Sequence, residues 1–303
     1  MTRGWLPVLL ASACLVAGCG TSAPTSQPAP SPESSTVPSS APHTRSRTPR
    51  ATAAPAPLGT VPPSWLGTRV LPRTTDGFGR VEPTPKALRN RRFTLPDTVR
   101  RLPGTGFASR VKAAPASVIA RSTWKRGCPV APSDLAWVRL TFWGFDQRRH
   151  TGELLVNQAV SGQLVTVFRK LYDAHYPIEE MRITRRAELD APPTGDGNNT
   201  GAFNCRPVVG QTVFSQHAYG LAIDVDPFQN PYLKRDLVLP ELASSYRDRG
   251  WTRPGMILPG GLVVRAFASI GWEWGGDWHS LKDLQHFSAG RRLKRRHRSA
   301  EGG

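Results

Sequence analysis

The run Ser215-Gln216-His217-Ala218-Tyr219-Gly220-Leu221-Ala222-Ile223-Asp224-Val225-Asp226 sets the tightest limit on what this chain can fold into. Ala222 to Asp226 alternates as a strand does. Asp224 therefore shares a face with Ala222 and Asp226, while Ile223 and Val225 turn toward a core. Gly220 lets the chain bend, so that His217 can fold back toward Asp224. A second stretch completes the set: Trp272-Glu273-Trp274-Gly275-Gly276-Asp277-Trp278, then Asp283-Leu284-Gln285-His286-Phe287. Asp283 and His286 are three apart, and a single turn puts both on one side. Two imidazoles, a carboxylate and a spare carboxylate are the inventory of a catalytic zinc site with three protein ligands and an open fourth position. In that arrangement Asp283 takes the proton of the attacking water.

Ser-x-His-x6-Asp followed by Asp-x-x-His resembles the zinc D-alanyl-D-alanine carboxypeptidases, the M15 peptidases that include VanY and the L-alanyl-D-glutamate endopeptidases. The runs Asn199 to Arg206, Asp224 to Tyr232 and Trp274 to Trp278 resemble one branch of that family. The resemblance spans roughly Trp124 to Phe287, and more loosely from about Leu58. It implies one zinc ion held by His217, Asp224 and His286, with Asp283 as general base. It further implies Arg206 as the arginine on the scissile carbonyl oxygen or a substrate carboxylate, and Ser215 as a substrate or supporting contact. Asp226 stands where Asn is expected, Asn198 where Asp is expected, and Ser288 where an acidic residue is usual. None of these departures removes a ligand; they bear on substrate preference.

The implied fold is α+β, of the Hedgehog/DD-peptidase type: a small antiparallel sheet carrying the zinc, with helices packed on one side. The implied substrate is the peptidoglycan stem peptide. Release of terminal D-alanine is the first reading, and cleavage between L-alanine and D-glutamate the alternative. A non-catalytic zinc-containing wall-binding lipoprotein is a third reading, against which Asp283 argues, since a binding module needs no base.

The ends of the chain read differently. Arg3 precedes an apolar run from Trp5 to Val16, too short to span a bilayer comfortably, closed by Val16-Ala17-Gly18-Cys19. This resembles a lipoprotein signal over residues 1–19, with Cys19 lipidated and the protein anchored on the outer face of a bacterial membrane or secreted into the wall. Residues 20–57 are Ser, Thr, Pro and Ala with a few arginines, and read as a disordered tether. Residues 291–303 form a basic tail whose Arg291, Arg292, Lys294, Arg295, Arg296 and Arg298 suit anionic wall polymers or lipid headgroups. The net charge is +18, but the export signal argues against a nucleic-acid partner. Of four cysteines, Cys14 leaves with the signal and Cys19 is acylated. Cys128 and Cys205 remain as a predicted disulfide, worth ~4 kcal/mol on loop-closure entropy.

Between these ends, residues 58–123 are extended and punctuated by proline, and are expected to wrap the zinc domain at 124–290. Val118 to Trp124 suggests a strand within the wrap. Val138 to Phe145 and Gly152 to Asn157 read as a hairpin, and Val160 to His175 as a helix with one apolar stripe, stopped by Pro177. Ile178 to Ala187 reads as a strand, Asp236 to Leu242 as a loop, and Met256 to Ile270 as a segment containing a helix that stops at Gly271. His150 and Glu153 sit by a turn without a third partner, which argues against a second metal site. Glu273 is a rival base, and Glu273 or Asp277 is placed to orient a histidine.

Overall fold

In the computed structural model, residues 56–208 and 211–290 are described. The predicted signal, Cys19, the basic tail and most of the tether lie outside the described residues. The unit that spans Ala54–Gly303 is mixed α/β.

Its framework is a hairpin. β2 (Leu135–Trp143) and β3 (Arg149–Asn157) pair in antiparallel register along their full length, and β1 (Ser109–Ala113) adds to the free edge of β2. Strand alternation sends Ala136, Val138, Leu140, Leu154 and Val156 to one face, where they meet Leu164, Val167 and Phe168 of α2 (Ser161–Asp173). α3 (Leu262–Ala268) joins the same core through Val263 and Phe267. That helix ends at Ala268 with Ser269 as its C-cap, short of the expected stop at Gly271, which lies three residues beyond it at φ +77°.

The opposite face of the hairpin is covered as well. Leu135 and Leu155 pack against Val118 and Ile119 of α1 (Ala116–Arg121), the stretch expected to be a strand. Pro115 occupies the N-cap and starts a helix there. Helices therefore lie on both faces, not on one. Nor is there a single sheet: the described residues form three antiparallel three-stranded sheets plus a parallel pair, β4 (Glu180–Met181) with β5 (Asn199–Thr200). β4 is the only strand in Ile178 to Ala187, and the expected loop at Asp236 to Leu242 contains β8 (Leu237–Leu239), paired with β7 (Tyr232–Lys234). Residues 58–108 contribute Leu71, Leu88 and Phe93 to a second core with Phe228 and Tyr246.

The sheet that matters for chemistry is β6 (Ala222–Asp224), β11 (His286–Ala289) and β9 (Trp272–Trp274), with β11 central. In its register His286 lies opposite Asp224.

Candidate metal centre

Asp224 and His286 are cross-strand neighbours, so the pairing of β6 with β11 brings them together without any loop. His217 arrives from a 3-10 turn, Gln216–Tyr219. Ser215 caps that turn, its Oγ accepting from the His217 amide at 3.3 Å. Gly220 ends it at φ +68°, where a Cβ would come within 2.5 Å of the Asn157 amide nitrogen. The turn is thus pressed against the end of β3, and glycine is the residue that fits.

His286 Nδ1 stands 3.1 Å from Asp224 Oδ1 and 3.1 Å from His217 Nε2, and His217 Nε2 is 3.2 Å from Asp224 Oδ2. Ligand atoms of all three lie within 4.8 Å of one another. His217 Nδ1 is 2.6 Å from the Ala202 carbonyl, which can only accept, so Nδ1 carries a proton and Nε2 is the nitrogen turned to the cluster. Two imidazole nitrogens and a carboxylate converging in this way fit a zinc ion, and the protein supplies no fourth ligand from the described residues. Burial alone would raise the Asp224 carboxyl, but the charges and hydrogen bonds of His217 and His286 hold it well below the usual carboxylate range.

Asp283 is in β10 (Lys282–Asp283), one tight turn before His286, and pairs opposite Tyr232 of β7. Its Oδ1 is buried with no hydrogen-bond partner among the described residues. Burial is the main influence on this carboxyl and pushes it up to about 6, with His286 opposing and Asp224 reinforcing the shift. Gly275 makes room: a Cβ there would sit 2.8 Å from the Asp283 Cβ and 3.3 Å from that of His286.

A cavity of about 270 Å³ opens on His217 and Asp224 and is lined by Glu180, Arg182, Glu188, Asn199, Asn204 and Arg206. Arg206 adjoins Cys205, which is joined to Cys128 by a disulfide. Arg182 was not singled out from the sequence, although Met181 and Ile183 are both buried and alternation turns the residue between them the other way. It is held by Glu180 at 3.0 Å and Glu188 at 2.8 Å.

The remaining sequence candidates fall elsewhere. Asp226 does not continue the strand face of Asp224. At φ +41° it leaves the strand, is fully buried, and its Oδ1 accepts from the Glu179 amide at 3.1 Å. Glu273 is exposed on β9 and Asp277 is exposed in the turn Gly275–Asp277, whereas the acceptor that orients His217 is a backbone carbonyl. Trp272 and Trp274 are core; Trp278 sits beside His286, with ring centroids 5.4 Å apart. His150 binds Asp97 and Asp146 while Glu153 binds Arg121 and Trp137, so the two do not form one metal site.

Residues 209–289 match the family model of D-alanyl-D-alanine carboxypeptidases. That segment contains His217, Asp224, Asp283 and His286, and the match supports a likeness to the M15 peptidases. The curated proteins gave no match, and neither did the solved structures.

Proposed function

We propose that this protein is a zinc peptidase of peptidoglycan stem peptides, acting as a D-alanyl-D-alanine carboxypeptidase. One observation carries the reading: His217, Asp224 and His286 converge beside the unpartnered Asp283 Oδ1, inside the segment that matches the carboxypeptidase family. Zinc at this position supplies Lewis acidity toward the scissile carbonyl and lowers the pKa of water.

The chain's own residues do the rest. The Ala202 carbonyl keeps His217 in the tautomer that presents Nε2. Ser215 fixes the turn that carries it. Asp283 Oδ1 accepts the proton of the attacking water and passes it to the departing amine, a task suited to a carboxyl raised to about 6. Arg206 lines the cavity and, among the described residues, has no carboxylate partner, so its guanidinium is available to a growing oxyanion or a substrate carboxylate. Arg182 is already engaged by two acids and shapes the wall. The substrate lies outside the membrane, and the leader with Cys19 would deliver and tether the enzyme there.

The test is to incubate the zinc-loaded protein with a pentapeptide stem and identify products by mass, with Asp283→Ala as control. Loss of one alanine with wild type alone supports the reading. Cleavage after the first L-alanine keeps the mechanism and moves the bond. No product from wild type at one zinc per chain would sink the enzyme and favour a wall-binding role.

A further inference from the structure

A different part of the molecule presents charge without partners. In the β1–β2 register Arg110 lies opposite Arg139, and Lys112 lies opposite Trp137. Residues opposite one another on antiparallel strands share a face, so these four side chains form one patch. The Lys112 ammonium is 4.8 Å from the Trp137 ring centre, and the Arg139 guanidinium is 4.9 Å from it. Like charges set directly opposite each other destabilise a sheet. Arg139 also lies opposite Glu153, but that carboxylate is buried and already taken by Arg121 and the Trp137 indole nitrogen. Among the described residues, none of Arg110, Lys112 and Arg139 forms an ion pair.

More cations follow the end of β1. A cavity of about 670 Å³ there is lined by Ala114, Lys125, Arg126 and Arg186, again without carboxylate partners among the described residues. From Ser109 to Asn157 the acids other than Glu153 are Asp134, exposed before β2, and Asp146, which is engaged by His150 at the hairpin tip.

We propose that this face docks a flexible linear polyanion carrying phosphate charges along its backbone and no bases. Charge complementarity sets the sign of the partner. Guanidinium forks on neighbouring strands suit phosphate oxygens spaced along a chain. Trp137 argues against a partner read through its bases: its ring already carries two cations and its N–H is bound to Glu153 at 2.6 Å, leaving little platform for stacking. Its charges are held on a sheet, at residues 110–139, and not in the terminal run at 291–303.

The probe is inorganic polyphosphate of defined length, titrated against the full chain at several salt concentrations. R110Q/K112Q/R139Q is expected to bind at least tenfold more weakly, with a log–log salt slope shallower by about 2, as three lost phosphate contacts on a flexible chain imply. R110K/R139K keeps the charge but loses the guanidinium forks, and is expected to bind more weakly than wild type and more tightly than the triple variant. A chain with its six tail cations changed to glutamine is expected to retain the contribution of this face, so that the triple substitution still weakens it. Thermal melts and zinc content of the triple variant establish that it is folded. Wild-type affinity in a folded triple variant would overturn the proposal. So would loss of all binding on neutralising the tail alone, or a preference for single-stranded DNA over polyphosphate that the triple substitution abolishes.

Discussion

Two buried charged clusters lie on either side of Asp226, and they are finished differently. In one, Arg91, only 1 % exposed, forks onto Glu179 at 2.7 and 2.5 Å and gives a third bond to the Asp196 carbonyl. Asn198 adds a bond to Glu179 at 2.8 Å and accepts from the Phe228 amide, and Phe93 and Phe228 close over the guanidinium. Charges are matched and donors meet acceptors. In the other, two imidazoles and Asp224 crowd within 3.2 Å while the Asp283 Oδ1 nearby has no partner. Their ligand atoms lie within 4.8 Å of one another, close enough to hold a cation. The first cluster serves the fold, pinning the segment around Arg91 to Glu179 and to the Asp196–Asn198 stretch. The second leaves a buried carboxylate oxygen unsatisfied beside three candidate metal ligands.

That contrast breaks first at Arg91. Arg91→Met strands Glu179 in the interior, and a cost on the order of 3–5 kcal/mol is expected, read as a fall in denaturation midpoint; a near-neutral result would mean that the cluster is not the pin described. Reduction of the Cys128–Cys205 bridge should cost ~4 kcal/mol and loosen the segment carrying Asn204 and Arg206, measured by melting with and without reductant. At the metal centre, Asp224→Asn removes a carboxylate that His217 and His286 hold ionised, so the metal-free protein should lose part of its stability at neutral pH. The variant should also lose the stabilisation of about 2.7 kcal/mol that zinc at a hundredfold excess over Kd gives wild type.

The smallest expected effect is a pH dependence at His150, which links the wrap to the hairpin through Asp97 at 2.7 Å and Asp146 at 3.1 Å. Burial pulls this imidazole down, but the bonds and charges of Asp97 and Asp146 outweigh it and raise the pKa above 6.5. Burial pushes Asp97 up, yet His150, the Thr151 amide and Arg101 bring it below 3.8. The histidine's contribution is complete below pH 6.5 and is lost as pH rises through its raised pKa. That of Asp97 is complete above 3.8 and is lost as pH falls through its lowered one. Wild type should therefore lose stability relative to His150→Gln as the solution is made alkaline, in melts across that range.

Legibility followed the range of the interactions. The hairpin and α2 could be read because alternation and the apolar stripe are local. The His and Asp residues of the site stood out because motif spacing within each run is local too, whereas the register of β6 with β11 that sets Asp224 beside His286 joins residues 62 apart and has no local signal. α1 was misread: Val118-Ile119-Ala120 is too short for its period to decide between strand and helix, and Pro115 decides it. Leu237-Val238-Leu239 was hidden by its shortness and by the proline that follows. The Ala202 carbonyl that orients His217 has no side-chain signature at all. Arg91 looked like any surface arginine, because its partner is 88 residues away and nothing nearby announces the burial.

The most direct test of the account is zinc stoichiometry by equilibrium dialysis on wild type, Asp283→Ala and His286→Ala, each shown to be folded. The account predicts one zinc per chain for the first two and a loss of tight binding for the third, since Asp283 is assigned to the proton and His286 to the metal. Zinc retained at full affinity by His286→Ala, or absent from folded wild type, would contradict it.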